Sequence, residues 1–131
     1  RHQMDKIKQK VDLKKPKDIH RVVNAFFEKV KKDALLAPYF ADKTAEDWEV
    51  FLPMMYSFWE NVLLYSGGYF GNPMARHKEM HELHAFTEAH FEQWLQLFTE
   101  SVDRLYAGPN AEMMKERARN IATVMQVKIA Q

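Results

Sequence analysis

Between Pro16 and Asp33 the apolar positions Ile19, Val22, Val23, Phe26, Phe27 and Val30 recur at intervals of three and four, with charged residues between them. That spacing lines one face of a helix, so the stretch is expected to be an amphipathic α-helix. "ALLAPYF", residues 34–40, is too short and too apolar for a surface helix; it reads as a buried turn or single helical turn that carries Tyr39 and Phe40 inward. Thr44 with Asp47 three positions on is a capping signal, and it opens a second helix with Trp48, Phe51, Met55, Phe58, Val62 and Tyr65 on one face. Pro53 has no N–H to give a helix interior. Either the regular helix begins near Glu49, leaving Pro53 close to its first turn, or the helix bends there. Beyond Gly67, Gly68 and Gly71, the pair Asn72 and Pro73 suits an N-cap and first helical position, which predicts a short helix with His77 on its second turn. Thr87 can cap the next helix, striped by Phe91, Trp94, Leu95, Phe98, Val102 and Leu105. "AGPN" ends it at Gly108 and restarts the chain at Asn110 for a last helix through Met113, Met114, Arg117, Ile121, Val124 and Met125. No stretch alternates with a period of two, so the expected class is all-α.

The chain has 131 residues, the length of one domain with one core. Residues 1–15 are expected to form a lead-in belonging to the same domain and residues 16–131 its helical body. The basic run "KIKQKVDLKKPK" reads as solvated. Nineteen Lys and Arg against eighteen Asp and Glu leave a net charge of +1, which makes no case for nucleic acid or a membrane surface as partner. The absence of cysteine excludes disulfides, thiolate metal sites and cysteine nucleophiles, and suits a reducing compartment. No apolar run reaches the roughly 18 residues of a membrane span and no signal peptide opens the chain, so the expected location is cytoplasmic.

The candidate chemistry lies in "GNPMARHKEMHELHAF", where His77, His81 and His84 share one helical face and His90 follows. His77 and His81 at i, i+4 could be two zinc ligands, but "HKEMH" has its acidic residue one place too late for the HExxH pattern. Solvated helix-face histidines are a second reading. Ser57, Ser66 and Ser101 occur in no strand–turn–helix elbow, which leaves no serine nucleophile. A third reading is a haem ligand, which needs one imidazole, an apolar slot and polar or basic groups at the slot's edge. Phe26, Phe27, Phe51, Met55, Phe58, Trp94 and Phe98 could line that slot, although such stripes also serve as plain helix-packing core.

The order of "FFEKVKKDALLAPYF", "DWEVFLPMMYSFWENVLL", "GNPMARH", "HFEQWLQLFTESVDRLYAGPNAE" and "KERARNIATVMQVKI" resembles the group III truncated haemoglobins of bacteria over residues 18–129. The resemblance implies a truncated globin, a two-over-two helical sandwich around haem b (iron protoporphyrin IX). It makes His77, which ends the NPM-x-x-H stretch, the proximal iron ligand. It also matches Trp94 to a buried tryptophan beside the ligand site, and Phe58 with Trp59 to a pair along the distal helix. His81 and His84 then share only the spacing of His77, and His90 becomes a capping or surface residue. The expected cofactor contacts are Phe26, Phe27, Phe51, Met55, Phe58, Trp59, Met74, Phe91, Trp94 and Phe98, with Arg76 and the Tyr69 hydroxyl at the haem edge.

Two positions depart from that family. It usually carries a tyrosine in the first long helix and often a histidine early in the distal helix, where this chain has Phe27 and Phe51. Neither ring donates a hydrogen bond, so the expected distal pocket is unusually apolar. Each missing bond to bound O₂ is worth about 1–3 kcal/mol, roughly ten- to a hundredfold in retention. Trp94 keeps an indole N–H as the main distal donor, while Tyr56, one position past Met55, is expected to point about 100° away. Met54 or Met55 could in principle offer a thioether to the iron. The expected function is reversible binding of O₂, CO or NO, with those gases as partners. The alternative is a haem redox enzyme acting on NO or peroxide and fed by a reductase, although peroxide cleavage wants a distal acid–base residue. A haem-free helical interaction module is the third reading.

Overall fold

Helix α1 runs from Pro16 to Lys32 in a computed structural model that describes residues 10–64 and 86–130. Pro16 occupies the first turn, where its missing N–H costs nothing, and Lys29, Lys31 and Lys32 in the last turn face the negative end of the helix dipole. The expected stripe is the buried one: Ile19, Val22, Val23, Phe26, Phe27 and Val30 are all in the core. A single 3₁₀ turn, Ala37–Phe40, follows. Leu36 is its buried anchor, while Phe40 and Tyr39 are half-buried; the inward delivery expected of this turn is complete only for Leu36 just before it.

Helix α2 spans Ala45–Leu63. The Thr44 hydroxyl accepts from the Asp47 N–H at 3.1 Å and the Asp47 carboxylate accepts from the Thr44 N–H at 2.9 Å, the reciprocal cap its sequence predicts. The helix is therefore already formed before Glu49, and Pro53 lies within it. Pro53 is exposed, so the carbonyl deprived of its partner faces the side where water can satisfy it. Helix α3, Glu88–Leu105, opens on Thr87, whose N–H donates to His90 Nδ1 at 2.9 Å; His90 is the capping residue expected.

Helix α4, Pro109–Ala130, corrects the sequence reading. Its buried apolar positions are Ala111, Met114, Ala118, Ala122 and Met125, whereas Arg117 is exposed and Val124 is 50% exposed. The stripe through Arg117 and Val124 followed the large side chains. The packed one runs through alanines, which let α4 approach α3 closely.

Helices α1 and α2 pack together, α3 packs on α4, and the two pairs meet through α1–α3 and α2–α4. That is an arrangement of two helices over two, with only helices and turns among the described residues. No described helix is long and apolar enough to cross a membrane.

The lead-in is also corrected. Leu13 is 2% exposed and belongs to the core, and Asp12 accepts from the N–H groups of Asn110 and Ala111, each at 2.9 Å, at the start of α4. The Asn110 side chain donates to the Leu13 carbonyl at 2.7 Å, and the Ala107 N–H donates to the Val11 carbonyl at 2.9 Å. Gly108 makes this corner feasible: its φ is +144°, and a Cβ there would lie 2.5 Å from Asp12 Cγ. Residues 10–13 are thus a strap across the α3–α4 corner. The predicted short helix after Asn72, and Tyr65 with it, lie outside the described residues.

Candidate functional site

Where α1, α2 and α3 converge they enclose a cavity of about 40 Å³. Helix α1 contributes Val23, Phe26 and Phe27, the 3₁₀ turn Phe40, α2 contributes Phe51, Met55 and Trp59, and α3 contributes Trp94 and Phe98. Helical spacing explains the set. Phe51, Met55 and Trp59 are each four apart, as are Trp94 and Phe98, so each helix sends one face into the same space. The rings fix one another. Phe27 meets Phe51 edge-on at 5.2 Å, Phe26 meets Phe98 edge-on at 5.3 Å, and Phe98 is stacked between Trp59 at 5.0 Å and Trp94 at 5.8 Å. Edge-to-face and offset contacts of this kind are the favoured aromatic geometries, which makes the wall stiff.

Of the residues expected from sequence, Phe26, Phe27, Phe51, Met55, Trp59, Trp94 and Phe98 come together at this cavity. Phe58 is buried beside Trp59, 5.4 Å away ring to ring, without lining it. Phe91 lines a second, smaller hollow of about 10 Å³ with Phe86, Ile121, Ala122, Met125 and, again, Trp94. Trp94 is therefore common to both. His77, Tyr69, Met74 and Arg76 lie outside the described residues. Val23 and Phe40 were not expected at the site. The α1 stripe contains Val23 one turn from Phe26 and Phe27, which was signal enough; Phe40 depends on how the turn folds back. Tyr56 points away, as its position predicts, stacking on His20 at 4.0 Å and donating its hydroxyl to Asn24.

Among the described residues the wall carries no charged side chain, and its polar hydrogens are the indole N–H groups of Trp59 and Trp94. Charge gathers outside it: Lys43 Nζ lies 4.5 Å from the centre of the Phe51 ring, and Lys31 Nζ lies 4.6 Å from that of Trp48. The perturbed titrating groups are also elsewhere. Burial pushes the Asp18 carboxyl up, but the N–H groups of Lys14 and Lys15 and the Tyr106 hydroxyl outweigh it and hold Asp18 below the ordinary carboxylate value. Burial and the Asp18 contact raise the Tyr106 phenol against the opposing Arg21. Lys115 is raised by its hydrogen bond to Asp103, against burial, with Glu112 adding to the effect.

Among the described residues no cluster of three or more His, Asp or Glu side chains is placed to hold a metal ion. The aromatic wall suits a different guest. A porphyrin is a large flat hydrophobe, and the seam of rings that runs from the first cavity through Trp94 to the second hollow matches it chemically. The 40 Å³ cavity itself holds a molecule of two or three heavy atoms rather than a macrocycle.

Comparison with known proteins agrees with this architecture. The chain is 33% identical over 111 residues to the group 3 truncated hemoglobin ctb of Campylobacter jejuni, covering 82% of this chain and 85% of that protein. The crystal structure of a group III truncated hemoglobin from Campylobacter jejuni matches with a TM-score of 0.75 at 28% identity, over 92% of this chain and 95% of the other. The family model of the bacterial-like globins matches residues 13–129, which takes in the strap residue Leu13 and the four described helices up to the last residue but one of the chain's final helix. With its two-over-two helices and aromatic cavity, the chain belongs to the bacterial-like globin family.

Proposed function

We propose that this chain is a haem b globin that reversibly binds O₂, CO or NO beside the aromatic cavity formed by α1, α2 and α3. Globin membership supports haem binding at the coarser level. Haem would supply, when bound, an iron centre that a protein imidazole can hold and a diatomic gas can bind. The observation that carries the finer reading is the cavity wall, which has room for a diatomic molecule and presents carbon, sulfur and two indole N–H groups.

The wall residues have separable tasks. Phe27 and Phe51, packed edge-on, exclude water from the gas side. The Trp94 indole offers a donor, and its stack on Phe98 holds the ring in place. Phe26 and Phe98 give the macrocycle apolar surface. His77 is assigned as the iron ligand by resemblance; Met74 and Arg76, its neighbours in sequence, and the Tyr69 hydroxyl in the preceding loop are the proposed contacts beside it and at the haem edge. A ligand that gains negative charge on binding, as O₂ does, finds fewer donors here than a tyrosine and histidine would give. CO and NO lose less. Peroxide cleavage needs a proton-transferring group, and the described lining residues include neither imidazole nor carboxyl, which favours reversible binding over peroxide turnover.

The test is the absorption spectrum of the chain reconstituted with haemin. A Soret band that is shifted by CO in the ferrous state and lost in His77→Ala is the expected result. No band, or an unchanged one in His77→Ala, would overturn the assignment.

A further inference from the structure

Among the described residues that line the cavity, one side chain can share an electron pair with a metal. Six of the nine are hydrocarbon, and two are indoles, whose ring nitrogen donates a hydrogen but has no free pair to share. The ninth is Met55. Its neighbour Met54 is half-buried and is not among the described lining residues, in keeping with the stripe that puts Met55 on the inward face. Met55 is 5% exposed and lies one helical turn from Phe51 on the same face of α2. Its unbranched side chain has three rotatable bonds and adapts to irregular space, and a thioether is a soft ligand that suits ferrous iron and raises its potential.

We propose that Met55 is an internal ligand to the haem iron on the gas side of the ferrous protein, so that a diatomic gas binds by displacing a thioether. The proposal rests on the haem-globin reading above. Displacement exchanges one coordination bond for another and transfers no electron or proton. It gives the apolar cavity a means of regulating affinity that needs no hydrogen-bond donor: the gas sees only the fraction of molecules whose sulfur has swung away. Oxidation of the iron weakens the thioether's hold, so the same residue ties gas binding to redox state.

The experiment compares the full chain, Met55→Leu and Met54→Leu after haemin reconstitution and anaerobic reduction. Leucine nearly conserves volume, and far-ultraviolet circular dichroism checks that each variant is folded. The unsubstituted chain and Met54→Leu are expected to give a six-coordinate, low-spin ferrous spectrum without added ligand, and Met55→Leu a five-coordinate, high-spin one. If sulfur holds the site nine-tenths of the time, apparent CO affinity rises about tenfold in Met55→Leu. The reduction potential of that variant falls. A five-coordinate spectrum in the unsubstituted chain, or a six-coordinate one surviving in Met55→Leu, would overturn the proposal and leave the haem-globin reading standing. Absence of a Soret band in the unsubstituted chain overturns both.

Discussion

Two regions of this molecule handle polarity in opposite ways. Around the cavity the lining side chains carry no charge, and order comes from rings packed edge-on and face-on. At the corner where residues 10–18 meet Tyr106–Ala111, order comes from hydrogen bonds. Asp12 accepts from two N–H groups at the start of α4, Asp18 accepts from Lys14, Lys15 and Tyr106, and Arg21 reaches the Tyr106 hydroxyl at 3.3 Å. The difference separates two jobs. Directional bonds fix how the N-terminal strap closes on the helices, while the described cavity wall keeps its shape through ring packing, with the two indole N–H groups of Trp59 and Trp94 as its polar hydrogens. Stability and ligand chemistry can therefore be altered independently.

The strongest way to break the corner alone is Gly108→Ala. The new Cβ meets Asp12 and the backbone sits at φ +144°, so stability should fall by about 3 kcal/mol, read from the urea midpoint. The CO-bound spectrum of the folded fraction should not change; a change would mean that the two regions are coupled. At the cavity, Phe27→Tyr puts a donor back where the ring of Phe27 lies. O₂ dissociation should slow about ten- to a hundredfold, the effect of one hydrogen bond of roughly 1–3 kcal/mol. Unchanged dissociation by stopped flow would refute the account of the missing clamp.

Asp18→Asn is the smallest and sharpens the comparison through pH. The Asp18 carboxyl is held below its ordinary value of 3.8 in the folded state. Its stabilisation is therefore complete above about pH 5 and disappears as the pH falls through the lowered folded value. At neutral pH the substitution should cost about 1–2 kcal/mol. In acid the variant and the unsubstituted chain should converge, as followed by urea titrations across the range.

Much of this was legible because the signals were local. Pro16 and the stripe to Val30 marked α1, Thr44 with Asp47 signalled the cap of α2 although Pro53 left a start near Glu49 open, and Thr87 signalled the cap of α3. The phase of those stripes also picked out six of the residues that wall the cavity, Phe26, Phe27, Phe51, Met55, Trp94 and Phe98, while Trp59 came from the family resemblance. What escaped depends on long-range partners. Asp12 looks like one acid in a basic run until Asn110 and Ala111, 98 and 99 residues away, come into contact with it. Helix α4 misled because alanine carries little hydrophobic weight yet marks where helices approach most closely. Phe58 and Phe91 are buried as their stripes require, but helical phase alone cannot say which buried ring borders an open space and which borders its neighbours.

The strap has a kinetic consequence. Its bonds join residues nearly a hundred positions apart, and a loop of that length is expected to close late in folding, since the entropy of bringing its ends together is recovered only once its contacts form. Contacts formed after the folding transition state leave the folding rate alone and slow unfolding instead. Asp12 and Gly108 then act as a latch on the lifetime of the folded globin, and a cavity stripped of polar anchors lasts as long as a corner far along the chain stays shut.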